Sequence, residues 1–175
     1  KAYQMIGNIS EARKTLQVEI YQYFLILLEL LNSYLHLFYD DKEAFDEIAR
    51  RYLGIADLFN LESLHPSILL TFYLTVAEGS LIQGKQEETL KYLESYTSIA
   101  TGDIYPLKLK GDDFFTLIDE WFESFTIGTN IPRDEKIVKQ SMLTALVANP
   151  IYKSLEDNVQ FRNIIKRLKS INEEE

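Results

Sequence analysis

The chain contains no cysteine, two histidines, four prolines and seven glycines in 175 residues. Without cysteine there are no disulfides, no thiol chemistry and no route to most structural zinc sites, a usage that fits a reducing cytoplasm. So few glycines and prolines argue against a fold of many short strands and turns, and towards helices. Cationic charge is scarce as well: 18 Lys and Arg stand against 27 Asp and Glu, for a net charge of −9. Nucleic-acid binding draws on Lys and Arg at phosphates, so these residues make a poor DNA reader. Long apolar runs are missing. The most apolar stretch, residues 24–31, is interrupted by Glu29 and is too short to span a bilayer. No signal peptide is visible. Residues 1–6 lack an initiator Met and read like the end of an earlier element, as expected of a fragment.

Rings and aliphatics are what the chain has in quantity. Eleven Tyr, ten Phe and one Trp point to a core built largely from rings, and 46% hydrophobic residues is the level of a soluble globular protein. The length suits one domain, or two small sub-bundles sharing a core, and needs no metal or disulfide as a staple. The division expected is residues 1–100 as helix pairs and residues 101–175 as a C-terminal sub-bundle on the same core.

Asn8 followed by Glu11 has capping-box spacing and predicts a helix from near Ser10 to about Phe38. Its second half is apolar around most of its circumference, the pattern of a helix buried among others. Asp40 and Asp41 supply a turn and the cap of a helix over residues 42–59, Pro66 opens one that ends near Gly84, and its partner covers residues 85–99. Gly102, Pro106 and Gly111 mark a loop. Asp112 then predicts a two-sided helix carrying Phe114, Phe115, Leu117, Ile118, Trp121, Phe122 and Phe125 on an arc of about 160°. Trp121→Ala should accordingly cost about 3 kcal/mol or more. A further helix covers residues 133–147 and stops at Asn149–Pro150. Asp157 and Gln160 have capping-box spacing before the last helix. The fold class is therefore all-α, with about seven helices in antiparallel pairs.

Tyr73, Ala77, Gly84, Thr89 and Leu93 follow at the offsets of a tetratricopeptide unit. There, small residues let two helices approach and Gly permits the tight turn. One repeat earlier, Leu28, Leu31, Leu35, Ala44, Phe45 and Ile48 echo the pattern, with Asn32 and Tyr39 replacing the small and turn positions. A generic αα-hairpin shows similar spacing. Stacked pairs make a concave face suited to a peptide or helix. On this register Glu29, Ser33, His36, Leu74, Glu78 and Leu81 line it.

Motifs for catalysis fall short. Residues 79–86 nearly spell a phosphate-binding loop, but Gln86 stands where Ser or Thr should hold magnesium, and the preceding segment reads as helix. Glu62 and His65 have the spacing of a di-iron ligand pair, yet His36 has Ser33 where the second Glu belongs. Metal analysis with His65→Ala would test an enzyme built on this pair; the expectation is no enzyme, no cofactor and no metal. Lys166, Arg167 and Lys169 read as complements to the last helix's dipole.

The blocks 111–115, 119–122, Gly128, 132–136 and Asn149–Pro150 resemble the C-terminal half of helix-turn-helix transcriptional regulators of Gram-positive bacteria, the Xre and Rgg-like groups. The resemblance is best over residues 103–168. It implies a tetratricopeptide-like superhelical regulatory region that senses a peptide or small signal and supports a homodimer. DNA would be bound only through an attached N-terminal domain outside this chain. A free-standing tetratricopeptide scaffold or adaptor is the alternative.

Overall fold

A computed structural model describes residues 7–105, 108–124 and 134–173. The chain is all-α: six helices have seven or more residues, and no strand forms among the described residues. Nor is any described helix long and apolar enough to cross a membrane.

Helix α1, Ile9–Leu35, starts where the Asn8 side chain accepts the backbone N–H of Glu11 at 3.2 Å. No Gly or Pro interrupts its 27 residues, and a 3₁₀ turn, His36–Phe38, extends it. Asp41 then caps α2, Lys42–Leu58, by accepting from Ala44 at 3.1 Å. Phe45, Ile48, Ala49, Tyr52 and Ala56 recur at helical spacing on its buried side. Asn60 takes the left-handed conformation, which Asn tolerates better than most residues, and ends that pair. A single turn, α3 (Leu61–Leu64), leads to α4, Pro66–Ile82, with proline in its first turn.

Gly84, at φ +76°, makes the reversal into α5, Gln86–Ala100. This hairpin follows the tetratricopeptide spacing closely. Ala77 and Thr89 are fully buried where the two helices meet, and the Thr89 hydroxyl donates to the carbonyls of Ala77 (3.3 Å) and Lys85 (3.0 Å). The small side chains bring the backbones together, and the hydroxyl satisfies itself locally.

The segment after the loop departs from expectation. Asp112 caps a turn, accepting from Phe114 (2.9 Å) and Phe115 (2.8 Å). The helix proper, α6, is only Asp119–Glu123. Phe114 and Leu117 are exposed, while Phe115, Ile118 and Phe122 are buried and Trp121 is half-buried. The cause is a competing anchor on α1. Gln17 donates to the Phe114 carbonyl and accepts from the Leu117 N–H, both at 2.8 Å, holding this stretch as turns. Phe125 lies outside the described residues.

The C-terminal part comprises α7 (Glu135–Val147), a 3₁₀ turn (Pro150–Leu155) and α8 (Val159–Glu173). Asn149 ends α7 as expected and caps the 3₁₀ turn through Ile151 at 3.1 Å. The cap of α8 is Asn158, which accepts from Gln160 and Phe161, rather than Asp157. Helices α7 and α8 pack on each other, and α8 on α5, while α1 packs on α2 and α4. Buried side chains from Tyr21 to Leu168 join in one cluster. One more expectation fails: α1 is buried on one side only, and a second apolar side faces solvent.

Candidate functional site

The residues expected on the inner face are split between α1 with its 3₁₀ turn and α4. Glu29, Ser33 and His36 are exposed, and Leu74, Glu78 and Leu81 are partly buried. His36 is already engaged: its ring nitrogens lie 2.8 Å from the Tyr39 hydroxyl and 3.4 Å from the Thr75 hydroxyl. Tyr39 in turn donates to the Thr75 carbonyl at 3.3 Å. This arrangement clasps the first pair to the second. Glu78 adds its negative charge to burial in pushing the Tyr39 and Tyr152 hydroxyls above the ordinary phenol range.

Leu74 lines a groove of about 470 Å³ between α4 and α7, whose walls include Leu70, Val138, Met142 and His65. His65 sits just before Pro66 at the start of α4, as its neighbour implies. Its Nδ1 is buried without a partner among the described residues. Burial lowers its pKa below the ordinary 6.5, and the charge of Glu29 opposes that shift. The groove suits an apolar segment with one hydrogen-bonding group.

A larger concavity, about 620 Å³, lies between the end of α7, the Pro150–Leu155 turn and α8. Its floor is apolar: Leu146, Tyr152 and Phe161 are buried, and Ile165 is partly so. Its rim carries Lys153, Arg162, Lys166 and Lys169 against a single carboxylate, Glu156. The geometry follows from the sequence. Asn149 and Pro150 stop α7 and turn the chain, so Tyr152 drops into the core and donates to the Leu74 carbonyl at 3.4 Å. Along α8, Arg162, Lys166 and Lys169 fall at i, i+4 and i+7 and share one face. Phe161 and Ile165 flank that row on the core side.

These lysines do not serve the helix dipole. Helix α8 runs to Glu173 and has no basic residue in its last turn, so Lys166, Arg167 and Lys169 lie too far back to complement it. Arg167 is ion-paired with Glu94 instead. The four rim cations form no ion pair among the described residues, whereas Lys14, Arg50, Arg51, Lys85 and Lys139 each do. Lys153 and Arg162 escaped the sequence reading. The i, i+4, i+7 row beside an apolar pair was the signal that could have found Arg162; Lys153 is brought in only by the turn after Asn149.

Chemically the cleft can hold an anion beside apolar groups. Its tyrosine is neutral, its hydroxyl committed and its pKa raised by burial, and lysine and arginine ammonium and guanidinium groups supply positive charge. Comparisons with family models, with curated proteins and with solved structures find no match for this chain.

Proposed function

We propose that the chain is a regulatory protein-interaction domain whose C-terminal cleft receives a short acidic segment bearing apolar side chains. The observation that carries this reading is the cluster of four cations, without an ion pair among the described residues, around an apolar floor in a chain whose net charge is −9. Elsewhere on such a surface an acidic ligand meets repulsion; here the local field is reversed. Burial of one ligand Leu or Phe side chain contributes about 1.5–3 kcal/mol. Each exposed ion pair adds less, about 0.2–1 kcal/mol, and is screened by salt. Binding is therefore expected to be moderate and salt-sensitive.

The resemblance of residues 103–168 to helix-turn-helix regulators supports a transcriptional setting, a peptide or small signal as ligand, and a homodimer. In that setting DNA is read by an attached N-terminal domain, consistent with the acidity of these residues. The well-formed α4–α5 hairpin suits a free-standing tetratricopeptide scaffold equally. A basic helix-turn-helix of about 60 residues encoded upstream separates the two.

The direct test is fluorescence anisotropy with a labelled peptide, Glu-Phe-Asp-Glu-Leu-Asp, against its Gln/Asn counterpart. The acidic peptide should bind saturably, weaken at least about tenfold between about 0.05 and 0.5 M salt, and lose affinity with Lys166→Glu/Lys169→Glu. Equal binding of both peptides, or none by either, would overturn the assignment.

A further inference from the structure

Helix α1 is apolar on two faces. One face, which includes Tyr21, Phe24, Leu28 and Leu35, is buried in the core. The other carries Leu16, Ile20, Tyr23, Leu27, Leu30 and Tyr34, all exposed, and continues to Leu37 in the 3₁₀ turn. Steps along this second face alternate four, three, four, three, four, three. That is a heptad seam over three repeats, with its centre at Leu27. Every position on it from Leu16 to Leu37 is uncharged. Tyr23, Leu30 and Leu37 are 70, 63 and 72% exposed.

We infer that this seam is the self-association surface of the protein, and that its occupant is α1 of a second copy. The spacing points to a helix, because a 3.5-residue period keeps a stripe aligned only when two helices wind about each other. The area points to a stable partner. With about 150–200 Å² for a large side chain, the exposed fractions of these residues and Ile26 amount to roughly 800 Å². The largest apolar patch on a monomer is about 300–600 Å², and each half of a standard interface is about 800 Å². The chemistry points to a copy of the same chain. A seam whose core positions carry no charge is self-complementary, as an isologous two-fold interface requires, and leaves Glu19 at its flank. This inference deepens the homodimer part of the proposed function and is independent of the cleft.

Sedimentation velocity over a range of concentrations should show a dimer whose affinity holds or rises with salt, the opposite of the response expected for peptide binding at the cleft. Leu30→Glu should weaken the dimer at least about thirtyfold, and Leu37→Lys should act in the same direction. Both side chains are mostly exposed, so the circular dichroism of the variants should match the parent. The cysteine-free chain allows a second readout. In a parallel pair Leu27, at the centre of the seam, opposes its own copy, so Leu27→Cys should form a disulfide-linked dimer on mild oxidation, and Gln22→Cys on the polar strip should not. A monomer at every concentration would overturn the inference. So would cross-linking at Gln22→Cys as efficient as at Leu27→Cys. A monomer that still binds the acidic peptide would remove the dimer and leave the cleft assignment standing.

Discussion

Tyr52 lies flat against Phe72, with ring centroids 3.7 Å apart and planes 5° from parallel, fastening α2 to α4. Both rings are fully buried. The Tyr52 hydroxyl has no hydrogen-bond partner among the described residues, and burial raises its pKa above the ordinary phenol range. An unpaired buried hydroxyl costs stability rather than contributing it. Tyr52→Phe should therefore leave the urea midpoint unchanged or raise stability by up to about 1 kcal/mol. Tyr52→Ala removes the stack and should cost about 3–5 kcal/mol. A marked loss on Tyr52→Phe would show that the hydroxyl is hydrogen-bonded in solution.

The two glycines that gave residues 79–86 the look of a phosphate loop have separate structural roles. Gly79 sits within α4, where an added methyl would run into the rings of Phe45 and Tyr39. Gly84 has open space around it and a left-handed backbone at φ +76°. Gly→Ala in a helix ordinarily gains about 1 kcal/mol. At Gly79 the overlap should reverse the sign and cost about 1–3 kcal/mol. Gly84→Ala should cost about 1–2 kcal/mol through the backbone alone, and Gly84→Asn less. Denaturant melts of the three variants check this ordering.

The segment ending in α6 meets α1 through rings. Tyr21 takes Phe115 and Phe122 edge-on at 5.5 and 5.4 Å, with Trp121 at 6.1 Å. Phe115 and Phe122 are both buried, at 0 and 1% exposure, whereas Trp121 is half-buried. Phe122→Ala should cost about 3–5 kcal/mol. Trp121→Ala should cost less, because part of that ring already contacts solvent. The reverse order in thermal melts would show that Trp121 carries the packing here, as its periodicity suggested.

Stability should decline at both ends of the pH scale, with different groups responsible. Burial lowers the His65 pKa below its ordinary 6.5. Between that lowered value and 6.5 the unfolded chain binds the extra proton, so stability falls as pH drops through this window. His65→Asn should flatten the change in urea midpoint between about pH 7 and pH 5. Burial also pushes Tyr21 and Tyr105 up to about 12 from the ordinary 10.0. Their raised values favour the fold fully below pH 10, and that stabilisation is lost as pH rises through about 12. Tyrosinate absorbance should rise together with loss of helical signal. Ionisation near pH 10 without unfolding would count against their burial.

Local signals were readable wherever one residue sets one bond. Asn8 caps the helix its spacing announced, Asp41 of the Asp40–Asp41 pair caps the next, Pro66 opens α4 and Gly84 turns the hairpin. Reading failed where a distant partner decides. The turns at Phe114–Leu117 depend on Gln17, 97 to 100 residues away, and no periodicity near Asp112 encodes that. Asp157 and Asn158 are adjacent candidates for one cap, and only geometry selects Asn158. The cleft was hidden for a related reason. Lys166 and Lys169 look like dipole partners until the helix is seen to continue beyond them, and Lys153 joins them only through the turn after Asn149. The clasp of His36 to Tyr39 and Thr75 likewise came only from the fold, since register says nothing of which side chains meet across helices.

The α4–α5 hairpin has the first helix pair packed on its one side and α8 on the other. Either flank can therefore fray while the hairpin keeps half of its cover, but the hairpin cannot open without releasing both. Backbone amides along α4 and α5 should accordingly be the last to exchange with deuterium, at rates set by complete unfolding, and a protease acting on the native protein should trim the chain inward towards them.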